Sequence, residues 1–244
     1  MSPPTAYPTL ASRAWRRLHD LPWRFAALRD RVLPGLFAEL LPVVQPYSMC
    51  SEARLRSLHR AVRSVVRRGV AGDLVECGAA RGGSALLLAL TAARLGQRRR
   101  TWVFDTFAGL PQPTLADPDY DEARRYVGTC RGELAELEAL FAAAGVREQV
   151  VFVKGLFQDT LPVSPVGTIA VLHLDGDWYD SVRVCLDHLY ARVAPGGVIQ
   201  IDDYGHWAGA RKAVDEFFER RGFRPRLRYV DYTGRTLRKP HPVP

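Results

Sequence analysis

Five short β-prone runs, four of them ending on or beside an acidic residue, interleaved with helix-forming sequence, set the narrowest limit on what this chain can become. The runs are Asp73 to Cys77, Thr101 to Asp105, Gln149 to Lys154, Thr168 to Asp175 and Val198 to Asp202. Helical patterns follow at Ser84 to Leu95, Gly132 to Ala144, Asp180 to Arg192 and Gly209 to Arg221. Near-continuous apolar runs such as IAVLHL, with no alternation of polar residues, suit strands covered on both faces, so the pattern predicts an α/β fold around a mostly parallel sheet. Before it, Leu55, Leu58, Val62, Val65 and Val66 recur at helical spacing between the capping residue Ser51 and Gly69. After it, Arg226 to Arg238 reads as a β-hairpin turning at Thr233 and Gly234.

Composition narrows the class of function. At 244 residues with 47% hydrophobic content the chain has the make-up of one large globular domain. No apolar stretch approaches eighteen residues, and the proline-bearing N-terminus lacks the profile of a secretion signal, so a cytoplasmic protein that does not engage a membrane is expected. The four cysteines are scattered with no CxxC pair. The net charge of +8 resides in the first 70 residues, where 12 arginines face 4 acids. Without an aromatic-interleaved basic stretch or a DNA-reading motif, that charge does not imply a nucleic-acid partner. Residues 1–50 read as a basic arm and helical cap, with two short helices stopped near Pro34 and Pro42, and residues 51–244 as the main domain. Trp15, Trp23 and Phe25 on the arm suit either closure over a ligand or a homodimer or larger homo-oligomer.

In an open parallel sheet ligands bind beyond the carboxyl ends of the strands. The first strand runs through Glu76 into a glycine turn, Gly78-Ala79-Ala80-Arg81-Gly82-Gly83, and then Ser84 on a helix. The spacing differs from the G-x-G-x-x-G that admits a pyrophosphate, which argues against a nicotinamide-dependent oxidoreductase. An acid before a glycine turn suits a ligand with an amino-acid end and a sulfonium. Asp105 closes the second strand, where a carboxylate can accept ribose hydroxyls, and Phe157, Gln158 and Asp159 follow the third, where a base would lie. S-adenosylmethionine satisfies these contacts.

Asp175 and Asp177 follow the fourth strand, and Asp202 and Asp203 close the fifth. One acid at such a place commonly caps a helix or pairs with arginine, but two pairs at adjacent strand ends, about 4.8 Å apart, can reach a single ion. Three hard oxygen donors and no nearby cysteine favour Mg²⁺ over Zn²⁺. A divalent ion beside a methyl donor would make an alcohol reactive, with Asp175 or Asp177 as the nearest base and His206 as a third candidate. His173, within the apolar strand, reads as structural.

Together PYSM (46–49), GDLVECGAARGGS (72–84), FDTFAGLP (104–111), DTLP (159–162), LDGDWYDS (174–181) and PGGVIQIDDYGHWAGARKAVDEF (195–217) resemble the macrocin O-methyltransferase family. The resemblance covers roughly residues 42–220. It implies a class I methyltransferase, Rossmann-like fold of seven strands, the last antiparallel, with helices on both faces. It implies S-adenosylmethionine and Mg²⁺ as cofactors, with metal ligands Asp175, Asp202 and Asp203 and with Tyr47 and Met49 over the methyl donor. The acceptor it implies is a small glycosylated natural product of macrolide or aminocoumarin type, methylated on a sugar hydroxyl. A phenol or amine acceptor, or a non-catalytic S-adenosylmethionine-binding protein, are the alternatives. The site is more distantly similar to catechol O-methyltransferase, but where that enzyme's catalytic lysine would fall this chain has Trp178. The long segment from Phe107 to Arg131 is expected to close over the acceptor, together with the basic arm.

Overall fold

The computed structural model describes residues 35–241. It is built on a seven-stranded sheet: β1 (Asp73–Cys77), β2 (Thr101–Asp105), β3 (Val150–Lys154), β4 (Ile169–Leu174), β5 (Val193–Ile201), β6 (Arg228–Tyr229) and β7 (Arg235–Arg238). The spatial order is β3-β2-β1-β4-β5-β7-β6. The first five strands pair in parallel, and β7 runs antiparallel to both β5 and β6. The order reverses beside β1, the position at which an open α/β sheet leaves a crevice at its carboxyl edge.

Eight α-helices accompany the strands among the described residues: α1 (Leu36–Val44), α2 (Glu52–Arg67), α3 (Gly83–Arg94), α4 (Tyr120–Ala123), α5 (Leu134–Ala143), α6 (Phe157–Thr160), α7 (Tyr179–Leu189) and α8 (Ala208–Glu219). Two apolar cores follow from the two-residue period of the strands. Leu74, Val103, Val171 and Val198 point to one face and meet α1, α2, α3 and α5. Val75, Phe104, Leu172 and Ile199 point to the other and meet α7 and α8. In α2 the Ser51 hydroxyl accepts the Arg54 backbone N–H at 3.2 Å, and Leu55, Leu58, Val62 and Val65 are all buried. That helix is the one its spacing predicts.

Three expectations meet corrections or limits. Helix α1 runs through Pro42 to Val44 and is followed by a 3₁₀ turn at Gln45–Tyr47. The proline removes one N–H without ending the helix, and burial of Phe37, Leu40 and Val44 on the first core holds the turns on either side. Strand β5 begins at Val193, earlier than expected, because a register shift between Ile169 and Val171 accommodates the Pro195-Gly196-Gly197 segment within the pairing. The predicted helix before Pro34 and the arm's Trp15, Trp23 and Phe25 lie outside the described residues.

The same two-residue period builds a polar row inside the first core. Glu76 pairs in register with His173, and His173 with Gln200. Asp175 and Asp202 stand two residues further along β4 and β5, on the same side of the sheet, at its carboxyl edge. No described helix is long and apolar enough to cross a membrane.

Candidate active site

A cleft of 820 Å³ opens over the carboxyl ends of β1, β2, β4 and β5. One end of it is shaped by the glycine turn. Gly78 and Gly82 adopt φ of 92° and 88°, and Ala80 follows them into the left-handed region at 45°. A Cβ on Gly78 would lie 1.7 Å from the Asp175 carbonyl oxygen, so glycine is what lets the β1 and β4 ends come together. Asp105 pins the turn: its Oδ2 accepts backbone N–H groups from Ala79 at 2.7 Å and Ala80 at 3.3 Å, and its Oδ1 accepts that of Phe107 at 2.7 Å.

Across this turn lies the segment joining α1 to α2. A Cβ on Gly83 would come within 2.6 Å of Ser48 N and Tyr47 C, so Gly83 serves the approach of that backbone to the start of α3. Tyr47 and Met49 thereby line the cleft, together with Gly78, Ala80, Ser84, Asp105, Phe157, Gln158, Asp175, Asp177, Asp202, Asp203 and His206. Glu76, Gly82, Gly83 and Asp159 are not among its lining residues. Glu76 is fully buried behind the wall, where it accepts the Ser84 hydroxyl and lies 3.3 Å from His173 Nδ1. Asp159 is exposed in the first turn of α6, a place where an acid favours the helix dipole.

The four aspartates gather at the other end through Asp175. Its carboxylate has an oxygen within 4.8 Å of donor atoms of Cys50, His173 and Asp202, and within 4.8 Å of oxygens of Asp177 and Asp203. Burial, compounded by the charges of Asp202, Asp203 and Asp177, pushes the Asp175 carboxyl well above the usual carboxylate range. Asp203 is raised well above it too, by burial and then by Asp177 and Asp202. Asp177 is raised to about 7, with burial dominant and the Trp207 hydrogen bond opposing. Asp202 goes the other way. Burial opposes its ionisation, but a hydrogen bond from His173 at 3.2 Å and the adjacent Arg54 guanidinium outweigh that and hold it low. For His173 burial works against protonation, yet the Glu76 charge and the Asp202 bond raise it to about 10.

Asp177 adopts φ of 56°, a conformation aspartate tolerates better than most residues. Its N–H donates to Asp203 Oδ2 at 3.1 Å, and its Oδ1 accepts Trp207 Nε1–H at 2.9 Å. Trp178, at the position of interest beside it, is buried and donates to the Pro111 carbonyl at 2.9 Å. It offers no base. His206 is exposed at the rim, with Nδ1 3.3 Å from the Tyr232 hydroxyl.

Several cleft residues escaped sequence reasoning. Arg54 is one arginine among many on a helix, and Cys50 is a lone thiol before a helix cap; neither carries a signal by type or spacing. Asp117 and Asp119 do sit in a turn-forming A-D-P-D-Y stretch. They tie the long segment between β2 and α5 down: Asp117 accepts the Tyr179 N–H at 2.7 Å and Asp119 the Ala208 N–H at 2.8 Å.

Residues 41–239 match the family described as Macrocin-O-methyltransferase (TylF). The chain belongs to this family. It is an O-methyltransferase with a class I methyltransferase fold. Among relatives of this macrocin-type methyltransferase, the 8-demethyl-8-(2,3-dimethoxy-alpha-L-rhamnosyl)-tetracenomycin-C 4'-O-methyltransferase of Streptomyces olivaceus is 38% identical over 77% of this chain and 74% of its own. The mycinamicin III 3''-O-methyltransferase of Micromonospora griseorubida is 35% identical over 77% of this chain and 76% of its own. The solved O-methyltransferase NovP superimposes with a TM-score of 0.75 at 32% identity, covering 80% of this chain and 83% of NovP.

Proposed function

We propose that this methyltransferase moves the methyl group of S-adenosylmethionine to a sugar hydroxyl of a glycosylated secondary metabolite, with Mg²⁺ held by Asp175, Asp202 and Asp203. The observation that carries the reading is the convergence of the buried Asp202 and Asp203 and the half-buried Asp177 on Asp175 at one end of a cleft whose other end is a glycine turn. The donors suit the ion in kind: they are hard oxygens, and Asp175 and Asp203 are disfavoured as anions by burial and by neighbouring carboxylates, a penalty that a divalent cation would relieve. Asp175 groups closely with Asp202 on one side and with Asp177 and Asp203 on the other, and Arg54 engages the second Asp202 oxygen. When bound, Mg²⁺ supplies charge stabilisation for an acceptor oxygen that is losing its proton.

The chain's own residues do the rest. Asp177 is placed to take the acceptor's proton, and Trp207 Nε1–H fixes one of its oxygens. His206 remains a rim residue suited to positioning. Asp105, Phe157 and Gln158 serve the nucleoside, and Tyr47 and Met49 lie over the methyl donor. Leu110, Pro111, Pro113, Tyr126 and Trp207 give the cleft an apolar flank for the face of a sugar and its aglycone, and that flank excludes water from the transfer. Two relatives named for methylation of the 4' and 3'' oxygens of glycosylated compounds support a sugar acceptor.

The test is methyl transfer from labelled S-adenosylmethionine to glycosylated macrolides and to their aglycones, with Mg²⁺ or with chelator. Transfer to the glycosides in Mg²⁺ alone is expected. Transfer to the aglycones at equal rate would move the acceptor to a phenol or another scaffold hydroxyl.

A further inference from the structure

Cys50 enters the acidic end of the cleft from the segment that joins α1 to α2, and its surroundings are those of a metal donor. Its Sγ lies 3.7 Å from Asp202 Oδ1 and 4.0 Å from Asp175 Oδ2, and His173 Nε2 lies 3.2 Å from the same Asp202 oxygen. The four donor atoms all fall within 4.8 Å of one another. A tetrahedral ion with bonds of about 2.0–2.3 Å spaces its ligands roughly 3.3–3.8 Å apart, so the three separations given lie close to that spacing and the others, all within 4.8 Å, reach it with side-chain shifts of up to about an ångström. Arg54 engages the other oxygen, Asp202 Oδ2, which leaves Oδ1 turned towards the thiol and the imidazole. Behind the imidazole, Glu76 Oε1 stands 3.3 Å from His173 Nδ1, within reach of the carboxylate–histidine contact that orients a ligating imidazole, while Nδ1 itself is buried with no hydrogen-bond partner. Glu76 Oε2 is buried with no hydrogen-bond partner.

We infer that Cys50, His173, Asp175 and Asp202 form a cation position of mixed sulfur, nitrogen and oxygen donors that takes a borderline-soft divalent ion of the Zn²⁺ and Co²⁺ class. On binding, the Cys50 thiol, the His173 Nε2–H and the Asp175 carboxyl release their protons to solvent as the metal–ligand bonds form, His173 keeps its Nδ1–H on the Glu76 side, and the ion replaces the direct His173–Asp202 contact. Thiolate and imidazole favour such an ion over Mg²⁺, which prefers oxygen donors throughout. The position shares Asp175 and Asp202 with the Mg²⁺ reading above and rests on it for those two residues alone. Because they are shared, Zn²⁺ competes with Mg²⁺ and the two do not add. Cys50 lines the cleft, so an ion has a path in.

Co²⁺ titration followed by absorption tests this on the full chain. The expected result is a thiolate-to-cobalt charge-transfer band in the near ultraviolet, lost in Cys50→Ser, with Co²⁺ affinity down by about tenfold or more, the cost of losing a ligand or its support. Zn²⁺ should abolish the band and protect Cys50 from a thiol reagent. A second arm measures Mg²⁺ binding by calorimetry in both proteins. If Mg²⁺ binds both, while Co²⁺ gives no thiolate band or binds Cys50→Ser as tightly as the native chain, the mixed-donor position is overturned and the Mg²⁺ reading stands. If neither ion binds the native protein, both fall.

Discussion

Asp117 Oδ1 accepts the backbone N–H of Tyr179 at 2.7 Å, so a residue of the long segment after β2 caps α7, the helix that follows β4. Trp178, the formal N-cap of α7, makes no side-chain cap bond, and neither does Trp207 at the start of α8, where Asp119 takes the corresponding role. Space for Asp117 exists because residue 209 is glycine: a Cβ there would lie 1.9 Å from Asp117 Oδ1. Replacing Asp117 with Ala should therefore cost about 1–2 kcal/mol of stability, with a smaller loss in Asp119→Ala. Urea denaturation measures both. KM for the acceptor should rise in each variant because the segment that lines the cleft loses its anchor.

Gly83→Ala tests the other wall. The new Cβ would meet backbone atoms of Tyr47 and Ser48 at 2.6 Å, which a flexible side chain could yield to but backbone cannot cheaply. Displacement of the 47–48 segment should cost roughly 1–3 kcal/mol, the usual range for overpacking. It should also weaken S-adenosylmethionine binding, read by calorimetry. Unchanged affinity would mean that Tyr47 and Met49 do not contact the methyl donor.

Asp177→Asn should lower kcat by about 10²-fold or more, the usual share of a general base, while S-adenosylmethionine binding persists. His206→Asn should cost far less. If the two losses were reversed in a side-by-side kinetic comparison, the base would be His206.

The metal-free protein should lose stability as pH rises from about 5 to 8.5. Asp177 titrates at about 7 when folded against an ordinary 3.8, and Asp175 and Asp203 are shifted in the same direction. The folded state thus holds more protons than the unfolded chain across that window, so unfolding becomes easier as they leave. His173 acts in the same sense, its contribution fully present below 6.5 and lost as pH climbs towards about 10. Asp202 is held low, so its contribution is present above the ordinary carboxylate range and is lost only on acidification. Urea midpoints in chelator should fall across this range, and added Mg²⁺ should flatten the slope. Midpoints that rise with pH in chelator would contradict the arrangement.

The sheet was legible because its strands are short, apolar and buried on both faces, a pattern carried by residue type alone. The acidic strand ends were legible for the same reason: Asp175 and Asp202 follow strands whose boundaries the apolar runs mark. What pattern could not show was which residue faces the cleft. Glu76 looked like a ligand contact from its place before the glycine turn, but the strand period turns it into the core beside His173 and Ser84. Gly83 looked like part of a cofactor loop, and its contacts are with the backbone of residues 47 and 48. Pro42 looked like a helix stop, but tertiary burial of Phe37, Leu40 and Val44 overrides one missing N–H. Arg54, Cys50, Asp117 and Asp119 reach the site or its supports through long-range contacts that leave no periodic trace.

The most direct measurement is Mg²⁺ calorimetry on the native chain and on Asp175→Asn, each saturated with S-adenosylmethionine. Asp175 is the carboxylate common to both groupings of donors. One Mg²⁺ site in the native protein, and none in a variant that still binds the methyl donor, is the predicted result. Equal Mg²⁺ binding by the two proteins would contradict it.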